Sequence, residues 1–199
     1  MRYEIEGQTF EQLEKKVTPR GMRGVPKPLY STQDYPTAGV ETLTFFTQAA
    51  SAGRYLTNMD QAGQLPDPEF FVAQYLCLDV LGIEPGDVDN LRDVYRILFG
   101  TGTGGAPYAL LRYNSQEWGP WMVSQMGGTG GPVGFTTRTA EEFANNGIPG
   151  QGGLYLGGSL VLQPGKAFSL DLRWSAAAAV TADLQLRVSL IGTHYYQVS

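Results

Sequence analysis

Two side chains hold most of the reactive chemistry in this chain, Cys77 and His194, and each is the only residue of its type among 199. A thiol and an imidazole serve nucleophilic catalysis only where the fold joins them and an acid orients the ring. Nothing local marks either one. Cys77 lies in an apolar run and His194 between Thr193 and Tyr195, so they read as a small buried hydrophobe and a strand-end histidine. A zinc site needs three or four His, Cys or acidic ligands at suitable spacing, and no such set is present. Gly100-Thr101-Gly102-Thr103-Gly104-Gly105 matches the G-x-G-x-x-G string. That motif works only between a strand and a helix N-terminus; here Pro107 and a strand-like Tyr108–Tyr113 follow, so it reads as a connection. Glu141 and Glu142 are adjacent and face opposite ways on a strand, which spoils them as a glycosidase pair. The expectation is no catalytic centre, no metal and no cofactor.

Binding chemistry is better represented. Tyr113, Trp118 and Trp121 could stack on sugar rings, and the same rings could fill a core or a subunit contact. Lys15, Lys16, Arg20, Arg23 and Lys27 fall within thirteen residues that contain no acid. From Pro28 onward eight basic residues face fifteen acidic ones, a balance of −7 within a total of −5. A basic arm on an acidic body suits contact with phosphate or with an acidic neighbouring subunit. Five cations without interleaved aromatics do not make a nucleic-acid signature.

The elements that must position these residues are mostly strands. Glycine numbers 26 and proline 12, while charged residues make up only 17%, a turn-rich composition typical of all-β folds. Phe168, Leu170, Leu172 and Trp174 alternate with Ser169, Asp171 and Arg173, and Leu184, Leu186, Val188 and Leu190 repeat the pattern. Period-two alternation predicts strands with one dry and one wet face. Leu43–Gln48, Glu69–Val80, Tyr108–Tyr113 and Ser159–Leu162 are further candidates. Gln163-Pro164-Gly165-Lys166 has the residues of a type II turn, and Asn145-Asn146-Gly147 is a strong turn signal. Val88, Leu91, Val94, Tyr95 and Leu98 fall on one helical stripe, which predicts a short helix ending near Leu98. Pro19, Gly21, Gly24, Pro26, Pro28 and Pro36 punctuate the first 44 residues, so these read as an extended arm without a regular element. The division expected is an arm over 1–44 and one β domain over 45–199. A lone cysteine permits no internal disulfide. The polar N-terminus shows no signal-peptide pattern, and no apolar run reaches membrane-helix length, so a soluble chain made in a cytoplasm is expected.

The order of these pieces resembles the jelly-roll capsid proteins of tailless icosahedral bacteriophages, many of which have an internal membrane. The match begins at Thr57-Asn58-Met59, passes Leu65-Pro66 into the strand from Glu69, and continues through the helical insertion. It is clearest in Gly152-Gly153-Leu154-Tyr155, in the stretch from Val161 to Trp174 and in that from Leu186 to Val198. The family pairs a P-G-x-x-F segment, here Pro164-Gly165-Lys166-Ala167-Phe168, with a closing V-x-L-x-G, here Val188-Ser189-Leu190-Ile191-Gly192. Ile191 departs from the acidic or polar residue often found there, and 1–44 has no aligned counterpart. The resemblance implies an all-β fold, an eight-stranded single jelly roll with a short helical insertion and an extended N-terminal arm, its last strand ending at Gly192. It implies a structural capsid protein of the virion, major or penton, that is not an enzyme. Its partners would be other copies and other capsid proteins, with the arm toward membrane or genome phosphates. The rival from another class is a carbohydrate-binding β-sandwich using Tyr113, Trp118 and Trp121. A cupin-like enzyme is disfavoured by the lack of a histidine cluster.

Overall fold

A computed structural model describes residues 22–82, 88–101, 105–127, 135–138, 141–144 and 153–197, with the backbone alone at 88–91, 135–138, 141–144 and 157–159. Among them the strands are β1 (Met22–Tyr35), β2 (Thr42–Phe45), β3 (Phe70–Leu81), β4 (Tyr108–Tyr113), β5 (Gln116–Met122), β6 (Phe135–Arg138), β7 (Glu141–Ala144), β8 (Leu154–Leu162), β9 (Phe168–Arg173) and β10 (Leu184–Gln197). One helix, α1 (Val88–Phe99), lies between β3 and β4. Two four-stranded antiparallel sheets, ordered β1-β10-β3-β8 and β2-β9-β4-β5, form an all-β sandwich; β6 and β7 pair separately. The core between the sheets contains Phe71, Leu76 and Leu78 of β3, Leu111 of β4, Leu170 and Leu172 of β9, and Leu184, Leu186, Val188 and Leu190 of β10. Alternation therefore predicted the dry faces of β9 and β10 correctly.

The punctuated segment departs from expectation. From Met22 it is a strand, fourteen residues long, paired with β10 throughout. Parity explains why the prolines do no harm. The amides of Tyr30 and Thr32 donate away from β10, to Asn58 Oδ1 at 2.9 Å and to the Leu56 carbonyl at 2.6 Å. Pro26 and Pro28 share that parity, so the N–H each lacks would point off the sheet edge and no ladder bond is lost. The boundary at 44/45 also cuts through β2. An arm without a regular element remains an expectation only for 1–21, which lie outside the described residues.

Gly192 does not end the last strand, which runs on to Gln197. Instead it marks a bulge, where the register between β10 and β3 shifts at Ile191/Gly192. A Cβ at Gly192 would run into the Val72 carbonyl, so the close approach needs glycine. At the predicted turn after β8, Gly165 has φ +66° and Lys166 N–H bonds back to the Gln163 carbonyl, as a type II turn requires. The β4–β5 turn is tighter: Asn114 and Ser115 both have positive φ, 47° and 66°, the two-residue type I′ form.

Helix α1 forms where expected; among its residues 92–99 the buried ones are Asp93, Val94 and Ile97, with Tyr95 and Leu98 half-buried. It is fastened to the β9–β10 connection. Asp93 Oδ2 accepts from the Thr181 N–H and hydroxyl, both at 2.5 Å. Arg96 donates to the Ala179 carbonyl at 3.1 Å, and Trp174 Nε1 to the Ile97 carbonyl at 2.9 Å. Gly100, at φ +83°, ends the helix by donating to the Arg96 carbonyl. The glycine string thus follows a helix and precedes a strand, the reverse of a phosphate-binding arrangement.

Candidate functional site

Cys77 and His194 do not meet. His194 pairs across from Phe71, on the core side, whereas Cys77 lies six positions along β3 between the core residues Leu76 and Leu78. They therefore occupy opposite faces of one sheet, about 20 Å apart along the strand. Burial pushes the Cys77 thiol up to about 11, so it stays protonated at neutral pH and is a poor nucleophile.

His194 belongs to a charged cluster at the end of the core where β1, β3 and β10 run on. Its Nε2 lies 2.9 Å from Glu69 Oε2, without the alignment of a good hydrogen bond. Lys27, Asp60 and the apolar Met59 and Leu65 complete the surroundings. Burial lowers the imidazole pKa, and Lys27 adds to that; the Glu69 and Asp60 carboxylates oppose it. The ring is a neutral core residue at neutral pH, and the pair with Glu69 becomes ionic only when it charges. The space around it holds about 10 Å³, too little for an organic ligand.

A second ionic network lies on the outward side of the other sheet. Asp171, assigned to a wet face by alternation, is only 2% exposed. Its carboxylate accepts from Thr44 Oγ1 at 2.9 Å and Arg173 Nη2 at 3.0 Å, and Arg112 Nη2 lies 3.2 Å away. Arg112 also reaches Glu117 at 3.2 Å. The partners come from β2, β4, β5 and β9, so the network ties the whole sheet across its strands. Beside it, at the β4–β5 turn, a shallow cleft of about 470 Å³ opens between Phe46, Gly63, Asn114 and Phe168. Its one cation, Arg112, is already paired with acids, and no nucleophile with an adjacent base lines it.

The aromatic trio does not form a platform. Tyr113 is 7% exposed, and its Oη accepts from the Gln163 N–H at 3.0 Å. It is a core residue, so of its two expected roles, sugar contact or core, it takes the core one. Trp118 and Trp121 are half-buried and pack against the core from the edge strand β5. Stacking on a sugar needs open ring faces side by side, and these three do not offer them.

Of the basic residues, Arg23 and Lys27 are exposed on β1; Lys15, Lys16 and Arg20 lie outside the described residues. Glu141 and Glu142 are consecutive on β7. Asn145-Asn146-Gly147 falls outside the described residues. Among the described residues no group of three or more His, Cys, Asp or Glu could hold a metal ion, and no helix is long and apolar enough to cross a membrane. The surface that sequence reasoning missed is an outward-facing row of Ile191, Tyr75 and Tyr155 on adjacent strands; only the pairing register reveals it. Compared with protein-family models, curated proteins and solved structures, the chain matches none.

Proposed function

We propose that the sandwich is a single jelly roll and that the chain is a structural subunit of an icosahedral virion shell. The observation that carries this reading is the strand order. With the separate β6–β7 pair set aside, the eight remaining described strands are ordered β1-β10-β3-β8 in one sheet and β2-β9-β4-β5 in the other. First and last strands pair, the second pairs with the next to last, and β3 pairs with β8. That nested pairing supports the double Greek key of a jelly roll, a fold used by capsid, lectin and cupin domains alike. The choice among those rests on the resemblance in the closing strands and on the basic segment holding Lys15, Lys16, Arg20, Arg23 and Lys27, which suits phosphates or an acidic neighbour. A fold by itself hosts many functions, so the test must read assembly. Purified protein measured by light scattering and electron microscopy is expected to form capsomer rings or shells. A clean monomer at every concentration, retained on polysaccharide, would overturn the reading in favour of a carbohydrate-binding module.

A further inference from the structure

Backbone strain in this chain collects at one cleft. Among the described residues, the non-glycine positions with positive φ are Phe46 at 65°, Asn114 at 47° and Ser115 at 66°. All three line the cleft of about 470 Å³ beside the β4–β5 turn, and Gly63, at φ +62°, lines it too. The two-residue turn accounts for Asn114 and Ser115. It does not account for Phe46. A bulky residue in the left-handed region is an outlier, where glycine would sit without strain. The fold holds Phe46 there from two sides. Its N–H donates to the Oγ of buried Ser31 at 2.9 Å, and its ring packs on Phe168 with centroids 5.2 Å apart. Strain enforced in this way clusters at ligand-binding and reactive sites. Turns carried on a rigid sandwich are also where binding residues concentrate.

The lining defines what fits. The volume falls within the roughly 300–1,000 Å³ of small-molecule sites. The cleft is shallow, so it suits one unit of a larger chain rather than a molecule sealed from water. Thr47, Ser115 and Ser169 bring hydroxyls and Asn114 an amide, side chains that both donate and accept. Ala62 and Ala167 add apolar surface. Arg112 lines one side, its Nε 3.2 Å from Glu117 and its Nη2 3.2 Å from Asp171. Neither contact uses Nη1. Arg173 also pairs with Asp171, so two guanidinium groups face two carboxylates. The network has no net charge to draw in an anion. These groups match an uncharged ligand with adjacent hydroxyls and an apolar C–H face.

We infer that this cleft binds a neutral sugar residue of a glycan. Asn114, Ser115 and Ser169 bond its hydroxyls, Arg112 Nη1 donates to one of its oxygens, and Ala62 and Ala167 meet its C–H face. The inference does not rest on the assembly reading, because particle formation and sugar binding are measured separately and either can fail alone. Its test is an array of neutral and acidic glycans probed with the labelled full chain. The best neutral oligosaccharide is then titrated by calorimetry at low and high salt. Its affinity should change by less than about twofold between the two, since screening acts only on charge. Ala167→Trp fills the cleft from an exposed position and should weaken binding by about tenfold or more through the clash. Asn114→Gly keeps the turn, removes the amide and should weaken binding severalfold. Tyr155→Ala, on the outward face of the other sheet, should bind as the wild type does. Urea midpoints establish that each variant is folded, and Asn114→Gly decides the matter if Ala167→Trp is not. Silence across the neutral glycans, binding of acidic glycans alone, or affinity unmoved in the folded cleft variants would overturn the inference.

Discussion

The imidazole of His194 and the carboxylate of Asp171 sit in opposite situations although both are nearly sealed from water. Asp171 is a buried charge with three polar partners, Thr44 and Arg112 on the neighbouring strands and Arg173 on its own, so its desolvation is offset by geometry. His194 has the Glu69 carboxylate close but poorly aligned, the Asp60 carboxylate acting through its charge alone, and Lys27 opposing both. Burial therefore dominates and its folded pKa falls below the ordinary 6.5. The sign of the linkage follows. Between the lowered folded value and 6.5 the unfolded chain binds more protons, so stability rises with pH in that window. The contribution is complete above about pH 6.5 and is lost as pH falls toward the folded value. Urea midpoints measured from pH 7.5 down to pH 5 should decline for the wild type and decline less for His194→Gln. Parallel curves for the two proteins would show that another group carries the pH dependence.

The edge strand β1 shows how parity decides what a proline does. Pro26 and Pro28 point their missing N–H groups away from β10, and the sheet edge there can accept no further strand at those positions. Moving the break by one residue reverses the outcome. Val25 faces His194 of β10 in the register and has the parity whose N–H enters the ladder. Val25→Pro should cost about 1–3 kcal/mol in urea unfolding, the penalty for a lost bond and an unpaired acceptor, whereas Pro26→Ala should stay within about 0.5 kcal/mol. Equal losses for the two would contradict the parity argument. This also accounts for what the sequence could reveal. Strands β9 and β10 were legible because apolar alternation is local, β3 because its apolar run is rich in β-formers, and α1 because its stripe is local too. β1 was not, because proline is read as a breaker unless the partner strand is known. Asp171 was assigned to water for a similar reason. Alternation tells which face a side chain takes, but not that Arg112 and Arg173 close over that face. Tyr113 stayed open between a contact and the core in the same way, because the burial of an aromatic depends on a distant strand. The glycine at 192 was visible, yet only the register against Val72 distinguishes a bulge from a strand end.

At the scale of the whole molecule, the sheets are built almost entirely from distant segments. Among the eight strands of the two sheets, only β4 and β5 pair with a sequence neighbour. β10 is central in its sheet, bonded to β1 on one side and β3 on the other, and it contributes Leu184, Leu186, Val188 and Leu190 to the core. The β9–β10 connection also holds α1 through Asp93 and Arg96. The first described strand therefore has no ladder partner until the last one exists. Such non-local pairing makes folding slow, because loop closure is spent before contacts reward it. Refolding followed by tryptophan fluorescence should fall in the millisecond-to-second range typical of β-sandwiches. Truncation after Asp183 should abolish cooperative unfolding rather than leave a smaller stable domain, since β1 and β3 would lose their shared partner and half the core its lining. A truncated chain that still melts in a sharp transition would show that the β2-β9-β4-β5 sheet and α1 are stable alone. The expected result fits the proposed building block, because a sandwich whose β1 and β10 are locked together would present its faces as one rigid body.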